Sequence, residues 1–199
     1  MIDYYNPHFL FSTFFGIGKV VKKGAGTIGS LIAFPIAFMI FRLSFFLYDF
    51  IYSEQANIEN ATLVSLIILA VLIVISCFTA GRYSKISKDS DPKEVIIDEI
   101  VGQSLVIITT IPFTFGLIIM GAKGAAINFN FYECFFVSCL AAFLLFRIFD
   151  IFKPWPINFI EKSIKGGLGI VADDLAAAIL SIIFYYFILF YIVIDRLIN

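Results

Sequence analysis

Histidine is nearly missing from this sequence, and cysteine and charge are scarce. The one histidine, His8, sits near the start of the chain, so chemistry that needs a histidine nucleophile or a pair of imidazoles has little to build on. Three cysteines, Cys77, Cys134 and Cys139, lie inside apolar runs with no close spacing and no neighbouring histidine. That placement argues against a disulfide framework, a zinc site or a reactive thiol, and for inert packing. Only 15% of the residues are charged and the net charge is −1, so any information lies in where the charges sit. No basic patch interleaved with aromatics points to nucleic acid. No Pro/Gly/Ser-rich linker, low-complexity tract or fixed-period repeat divides the chain, which reads as one domain over residues 1–199. Met1-Ile2-Asp3 offers no basic n-region, and no small-residue cleavage site precedes the first apolar run, so we expect no removable signal peptide.

What is abundant is apolar surface: 61% of the residues are hydrophobic and 25 are Phe, too many to hide from water in a chain this size. A bilayer is the solvent that fits. Crossing it takes about 20 apolar residues as a helix, because backbone polar groups must be satisfied within the segment. Five runs qualify: Ile28 to Leu47, Thr62 to Ala80, Ile100 to Met120, Cys134 to Phe149 and Leu175 to Ile194. Pro35 and Pro112 fall inside two of them, which membrane helices tolerate, and Arg42 stands near an end where it can snorkel. Upstream, His8 to Val21 is apolar but short and reads as a helix lying in the interface. The expected fold is therefore an all-α integral membrane protein with about five transmembrane helices plus an N-terminal interfacial helix.

The basic residues orient these spans. Lys19, Lys22, Lys23, Arg82, Lys85, Lys88, Lys93, Arg147, Lys153, Lys162 and Lys165 fall on one set of alternate loops, and only Arg42, Lys123 and Arg196 on the other. The positive-inside rule then puts the N-terminus, the Gly81–Val95 loop and the Asp150–Asp174 loop in the cytoplasm and the C-terminus outside. The Tyr48–Ala61 loop, with Asp49, Glu54 and Glu59 and no base, suits the outer side.

Carboxylates collect on the same expected cytoplasmic boundary. Asp98 and Glu99 precede the third span, Asp150 ends the fourth, and Asp173 with Asp174 opens the fifth. Acids brought together repel unless a cation sits among them, and an oxygen-only ligand set suits Mg²⁺ better than zinc. The plainer alternative is that helix starts attract acids through the dipole, which accounts for four of the five singly. It does not account for Asp150, which sits at a C-terminal end.

Two further stretches bear on anion binding. Gly24-Ala25-Gly26-Thr27-Ile28-Gly29-Ser30 stands where a helix N-terminus aims unpaired N–H groups at the cytoplasm, with Lys22 and Lys23 adjacent. Gly29, Thr27 and Ser30 could receive a phosphate there, or serve only as close-packing helix residues. Gly166-Gly167-Leu168-Gly169 offers a second anion-accepting turn or a plain loop. Arg147, Asp150 and Lys153 recur every three residues and would share one helical face, either as a salt-bridged helix end stopped by Pro154 or as a metal ligand flanked by phosphate clamps.

Taken together, four motifs resemble the phosphatidylglycerophosphatase A family. They are Gly26-Thr27-Ile28-Gly29-Ser30-Leu31, Asp91-Pro92 through Asp98-Glu99-Ile100-Val101-Gly102-Gln103, Phe146 to Pro156, and Gly166-Gly167-Leu168-Gly169 through Asp173-Asp174. In order and spacing they extend from about Gly18 to Ala178. The family's Pro before Gly-Thr is Ala25 here, and its usual Gly closing the last motif is Ala178. The resemblance implies a Mg²⁺-dependent enzyme of the bacterial inner membrane that removes the terminal phosphate of phosphatidylglycerophosphate, a step of phospholipid biosynthesis, with substrate taken from the inner leaflet. It implies Asp98, Asp150 and Asp174 as catalytic residues, metal ligation drawn from those three with Glu99 and Asp173, and phosphate contacts from Thr27, Gly29, Ser30, Arg147 and Lys153. Both an activated water and a direct attack by Asp stay open as routes, and so do the number of ions and the oligomeric state. The rival from another class is an ion-coupled transporter, but transporter sites lie near the midplane on broken helices rather than at one face. Asp89-Ser90-Asp91 imitates an aspartyl-nucleophile motif yet follows a Lys-rich loop, which suits a solvated turn.

Overall fold

The computed structural model describes residues 6–21, 23–53, 55–122 and 131–198. Lys22, Glu54 and Lys123 of the charge argument lie outside the described residues. Among those described there are helices and no strands: α1 (Pro7–Ser12), α2 (Ile17–Val20), α3 (Ala25–Tyr52), α4 (Ile58–Ser87), α5 (Ile97–Ala122), α6 (Phe131–Phe152), α7 (Ile157–Ser163) and α8 (Gly167–Ile198). The five long ones, α3, α4, α5, α6 and α8, each hold a stretch long and apolar enough to cross a membrane. The all-α, five-span architecture is as expected from the sequence.

The helices run past the apolar stretches that announce them, because polar residues at the interface extend a helix once its middle is fixed by the bilayer. Asn57 caps α4 by accepting from the Asn60 N–H at 2.8 Å, and the α3–α4 connection tightens where Asp49 Oδ1 accepts from the Ala56 N–H at 2.7 Å. Pro35 and Pro112 stay inside continuous helices. At the other end of the bundle, α8 begins at Gly167, so Asp173 and Asp174 stand nearly two turns inside it instead of opening it. The expected interfacial helix over His8 to Val21 is two short pieces. Asn6 and Pro7 start α1, then left-handed Phe14, Phe15 and Gly16 break it before α2. This strap is not merely laid on the interface, since Phe9, Ser12 and Thr13 are buried and Phe9 stacks edge-on against Tyr83 of α4.

Helix α5 is the centre of the bundle. Its span is 56% buried, against 17–28% for the others, whose outward Phe, Ile and Leu side chains face lipid. Ala33 and Ala37 of α3 and Ala142 of α6 let neighbours approach it closely. Polar bonds then fix the register. Tyr185 and Thr114 hydroxyls pair at 2.9 Å, Tyr186 donates to the Thr109 carbonyl at 2.6 Å, Gln103 donates to the Ala142 carbonyl at 3.3 Å, and Ser65 donates to Ser44 at 2.8 Å.

Candidate active site

The up-and-down order brings the starts of α3, α5 and α8 and the end of α6 to one end of the bundle. Glycine decides how near they come. A Cβ on Gly102 of α5 would meet Phe146 of α6 at 2.9 Å and the Asp174 carbonyl of α8 at 3.2 Å, so its absence lets α5 seat between those helices one turn from Asp98. A Cβ on Gly26 of α3 would lie 2.3 Å from Glu99 Oε1, and one on Gly29 3.0 Å from the Ile96 carbonyl. A Cβ on Gly167 would fall 1.9 Å from the Cys77 carbonyl of α4.

The result is a cluster of Asp98, Glu99 and Asp174, each offering a carboxylate oxygen within 4.8 Å of the others. Asp98 and Asp174 are buried and Glu99 nearly so. The two remaining acids are held beside the cluster by cations. Asp150 takes Arg147 Nη1 at 2.5 Å, and Asp173 takes Lys153 Nζ at 2.6 Å. Lys153 also donates to Glu161 of α7 at 2.9 Å. Burial alone would lower the Lys153 ammonium, but its bonds to Asp173 and then Glu161 outweigh that and hold it above the ordinary lysine range. Among the described residues, no base pairs with Asp98, Glu99 or Asp174. Asp98 Oδ1, Glu99 Oε2, Asp173 Oδ1 and Arg147 Nε are buried without a hydrogen-bond partner.

Other residues singled out in the sequence fall as follows. Ser30 is buried, donates to the Gly26 carbonyl at 3.0 Å and accepts from Arg147 Nη1 at 3.5 Å, which ties α3 to α6 at the rim of the cluster. Thr27 is half-buried in the first turn of α3, and Gly29 packs on Ile96 and the Glu99 stem. The glycine-rich start of α3 thus abuts Glu99. Gly167-Leu168-Gly169 is helix, not an anion-accepting turn, and Gly167 packs against α4, where a Cβ on Gly81 would fall 3.0 Å from the Gly167 Cα. Lys153 does not share the Arg147–Asp150 face. It has left α6 with φ of 42° and turned toward α8. Glu161 escaped notice in the sequence, where nothing near it signals a role. Gly102 was visible inside the Asp98–Gln103 motif, but the close contact that explains it was not.

A lone acidic cluster could belong to many proteins. The family model for phosphatidylglycerophosphatase A, however, matches residues 10–189. The chain belongs to the phosphatidylglycerophosphatase A family. Phosphatidylglycerophosphatase A of Escherichia coli K12 is 27% identical over 183 residues, covering 92% of this chain and 84% of the relative. The Haemophilus influenzae protein of the same name is 26% identical over 182 residues, covering 92% and 88%. A Bacteroides thetaiotaomicron protein provisionally named phosphatidylinositol-3-phosphatase is 34% identical over 118 residues, 57% of this chain and 61% of its own. No solved structure matches the chain. The stretch shared with the family takes in all four glycine-and-acid motifs.

Proposed function

We propose that the chain hydrolyses the terminal phosphomonoester of phosphatidylglycerophosphate to phosphatidylglycerol and inorganic phosphate, as a Mg²⁺-dependent step of phospholipid synthesis. Its place would be the bacterial inner membrane, with the N-terminus and the acidic end cytoplasmic, the C-terminus outside and the substrate drawn from the inner leaflet. The observation that carries this reading is the family match over residues 10–189 together with three converging carboxylates that no cation among the described residues pairs with. The fit to Mg²⁺ rests on the donor set: oxygens only, buried, with Asp98 Oδ1 and Glu99 Oε2 unpartnered. Asp98, Glu99 and Asp174 would hold the ion. When bound, it would supply positive charge against the phosphoryl oxygens as negative charge develops on them.

The chain's own groups do the rest. Arg147 is fixed by Asp150 and tied to Ser30 through Nη1, which sets its guanidinium at the rim of the cluster as the candidate partner of a phosphoryl oxygen. Thr27 and Ser30 stand at the rim where a second oxygen would rest. Lys153, held by both Asp173 and Glu161, ties α8 to α7 beside the cluster and would add positive charge there for the anion. In net terms, the oxygen of water ends on phosphorus, the phosphorus–oxygen bond to glycerol breaks, and the proton that water gives up ends on the glycerol oxygen. The clustered acids lie at one end of the bundle, which favours this over ion-coupled transport, where the groups sit near the midplane.

Purified protein in detergent with Mg²⁺ should release phosphate from phosphatidylglycerophosphate, and chelation should stop it. Phosphatidylinositol 3-phosphate belongs in the same assay, given the name of the Bacteroides relative. Normal turnover by both Asp98→Asn and Asp174→Asn would overturn the assignment of the cluster.

A further inference from the structure

An apolar cavity of about 530 Å³ lies between α3, α5 and α6, near the middle of the bundle and deeper than the acids. Its wall includes Phe38 and Phe41 of α3, Ile107 and Ile111 of α5, and Phe135 and Cys139 of α6. Phe38 is 66% and Phe135 43% exposed, so its mouth faces the bilayer. Two things connect it to the acidic end. Helices α3 and α6 touch only sparingly, leaving a seam whose upper tie is the Arg147–Ser30 bond and whose next contact is Phe34 against Phe143, ring centroids 6.4 Å apart. The offset is also uniform. Phe38, Ile107 and Cys139 each stand eight positions along their helix from Ser30, Glu99 and Arg147, about 12 Å at the helical rise.

We propose that this cavity seats an acyl chain of the phospholipid whose headgroup occupies the acidic site. The proposal rests on the phosphatase reading. A phosphate held by Arg147 leaves its glycerol at the interface, and the chain then descends the α3–α6 seam into hydrocarbon-lined space. Moving a chain from lipid into such a cavity expels no water, so it adds little through the hydrophobic effect. What it adds is register: a seated chain fixes the depth and azimuth of the phosphoryl group against the carboxylates. Chain length therefore becomes a determinant of turnover, and a headgroup on a very short chain loses that positioning.

The test fills the cavity with Cys139→Trp and compares dipalmitoyl with dihexanoyl phosphatidylglycerophosphate in mixed micelles. The expected result is a fall of about tenfold or more in kcat/KM for the long-chain lipid, with the short-chain value within about twofold of the unmodified protein. An unchanged ratio between the two lipids overturns the proposal. The second measurement uses the unmodified protein and a dipalmitoyl phosphonate analogue carrying a diazirine late in one chain. Adducts on Phe38, Phe41 or Ile111 that the dipalmitoyl but not the dihexanoyl substrate suppresses are expected. Labelling confined to lipid-facing Phe46, Phe184 and Phe187 overturns it. If the unmodified protein releases phosphate from neither lipid, the phosphatase reading itself fails, an outcome separate from either of these.

Discussion

Replacing Gly26 with alanine should damage the site while leaving the fold at least as stable. The new methyl would sit 2.3 Å from Glu99 Oε1 and 3.2 Å from Arg147 Nη1. Ordinary contact begins near 3.4 Å, so the carboxylate must retreat by about 1.1 Å. It can do so, because what blocks the methyl is the tip of a flexible side chain and not backbone. Local strain is thus relieved by rotating Glu99 away from Asp98 and Asp174. Meanwhile alanine in the first turn of α3 regains about 0.5–1 kcal/mol that glycine loses to backbone entropy. Misplacing a reacting constellation by about 1 Å costs on the order of 10²-fold in rate. Phosphate release should accordingly drop by about that factor, with an unchanged or raised midpoint of thermal unfolding in detergent. Full activity in Gly26→Ala would mean Glu99 is dispensable to the cluster. Loss of both activity and thermal stability would mean that the α3–α5 contact cannot yield as described.

The other glycine contact behaves oppositely: in Gly167→Ala the methyl meets the Cys77 carbonyl at 1.9 Å and Gly81 Cα at 2.7 Å, backbone that cannot swing aside, so differential scanning should show a loss of about 1–3 kcal/mol. Lys153→Met leaves Asp173 and Glu161 without their shared donor and should lower stability by about 1–3 kcal/mol, read by the same scan. Because the folded protein holds the Lys153 ammonium above its ordinary value, that stability is whole below about pH 10.4 and is lost only as pH rises through the raised value, so the gap between the two proteins should close only in strong alkali. Mg²⁺ at about a hundred times its dissociation constant should stabilise the unmodified protein by about 2.7 kcal/mol and Asp98→Asn by far less, as thermal shift with and without chelator will tell. Ser44→Ala removes the bond from Ser65 at 2.8 Å far from the acids, and should cost about 0.6 kcal/mol with no change in turnover.

The spans were legible because hydropathy is a property of contiguous residues, and so was the gathering of acids at one end, which follows from counting crossings. What each acid does there was not. Asp150 looked the most telling carboxylate because a helix C-terminus disfavours it, yet the reason it stays is Arg147, three residues before it on the same helix. Lys153 looked like its second partner by spacing alone. The helix ends at Phe152, and one residue in a left-handed conformation sends the ammonium to another helix. Likewise Gly26 and Gly29 suggested open backbone awaiting an anion, and the structure fills that space with Glu99. Composition says that something must come close to a glycine; it does not say what. The α3–α6 cavity had no sequence signal at all, since Phe, Ile and Pro that border a void read the same as those that fill a core.

Three carboxylates with no counter-charge among the described residues are a liability, because mutual repulsion and unpartnered oxygens both disfavour their approach. They are held together by packing that lies elsewhere. Moving along α5 away from Glu99, Gln103 bonds to α6, then Thr109 and Thr114 bond to Tyr186 and Tyr185 of α8, while Ala142, Ala177 and Ala178 keep those helices close. Bonds in the middle and far half of the bundle therefore fix the spacing of α5 and α8, and that spacing forces Asp98, Glu99 and Asp174 together at the end. Strain at the acids is the consequence of rigidity below them, and a cation relieves it only if the helices do not splay first. It follows that loosening the far half, for instance by Tyr185→Phe with Tyr186→Phe, should weaken Mg²⁺ binding at residues it never touches. Equal Mg²⁺ affinity in that variant would show that the acidic end is held by its own contacts and not from below.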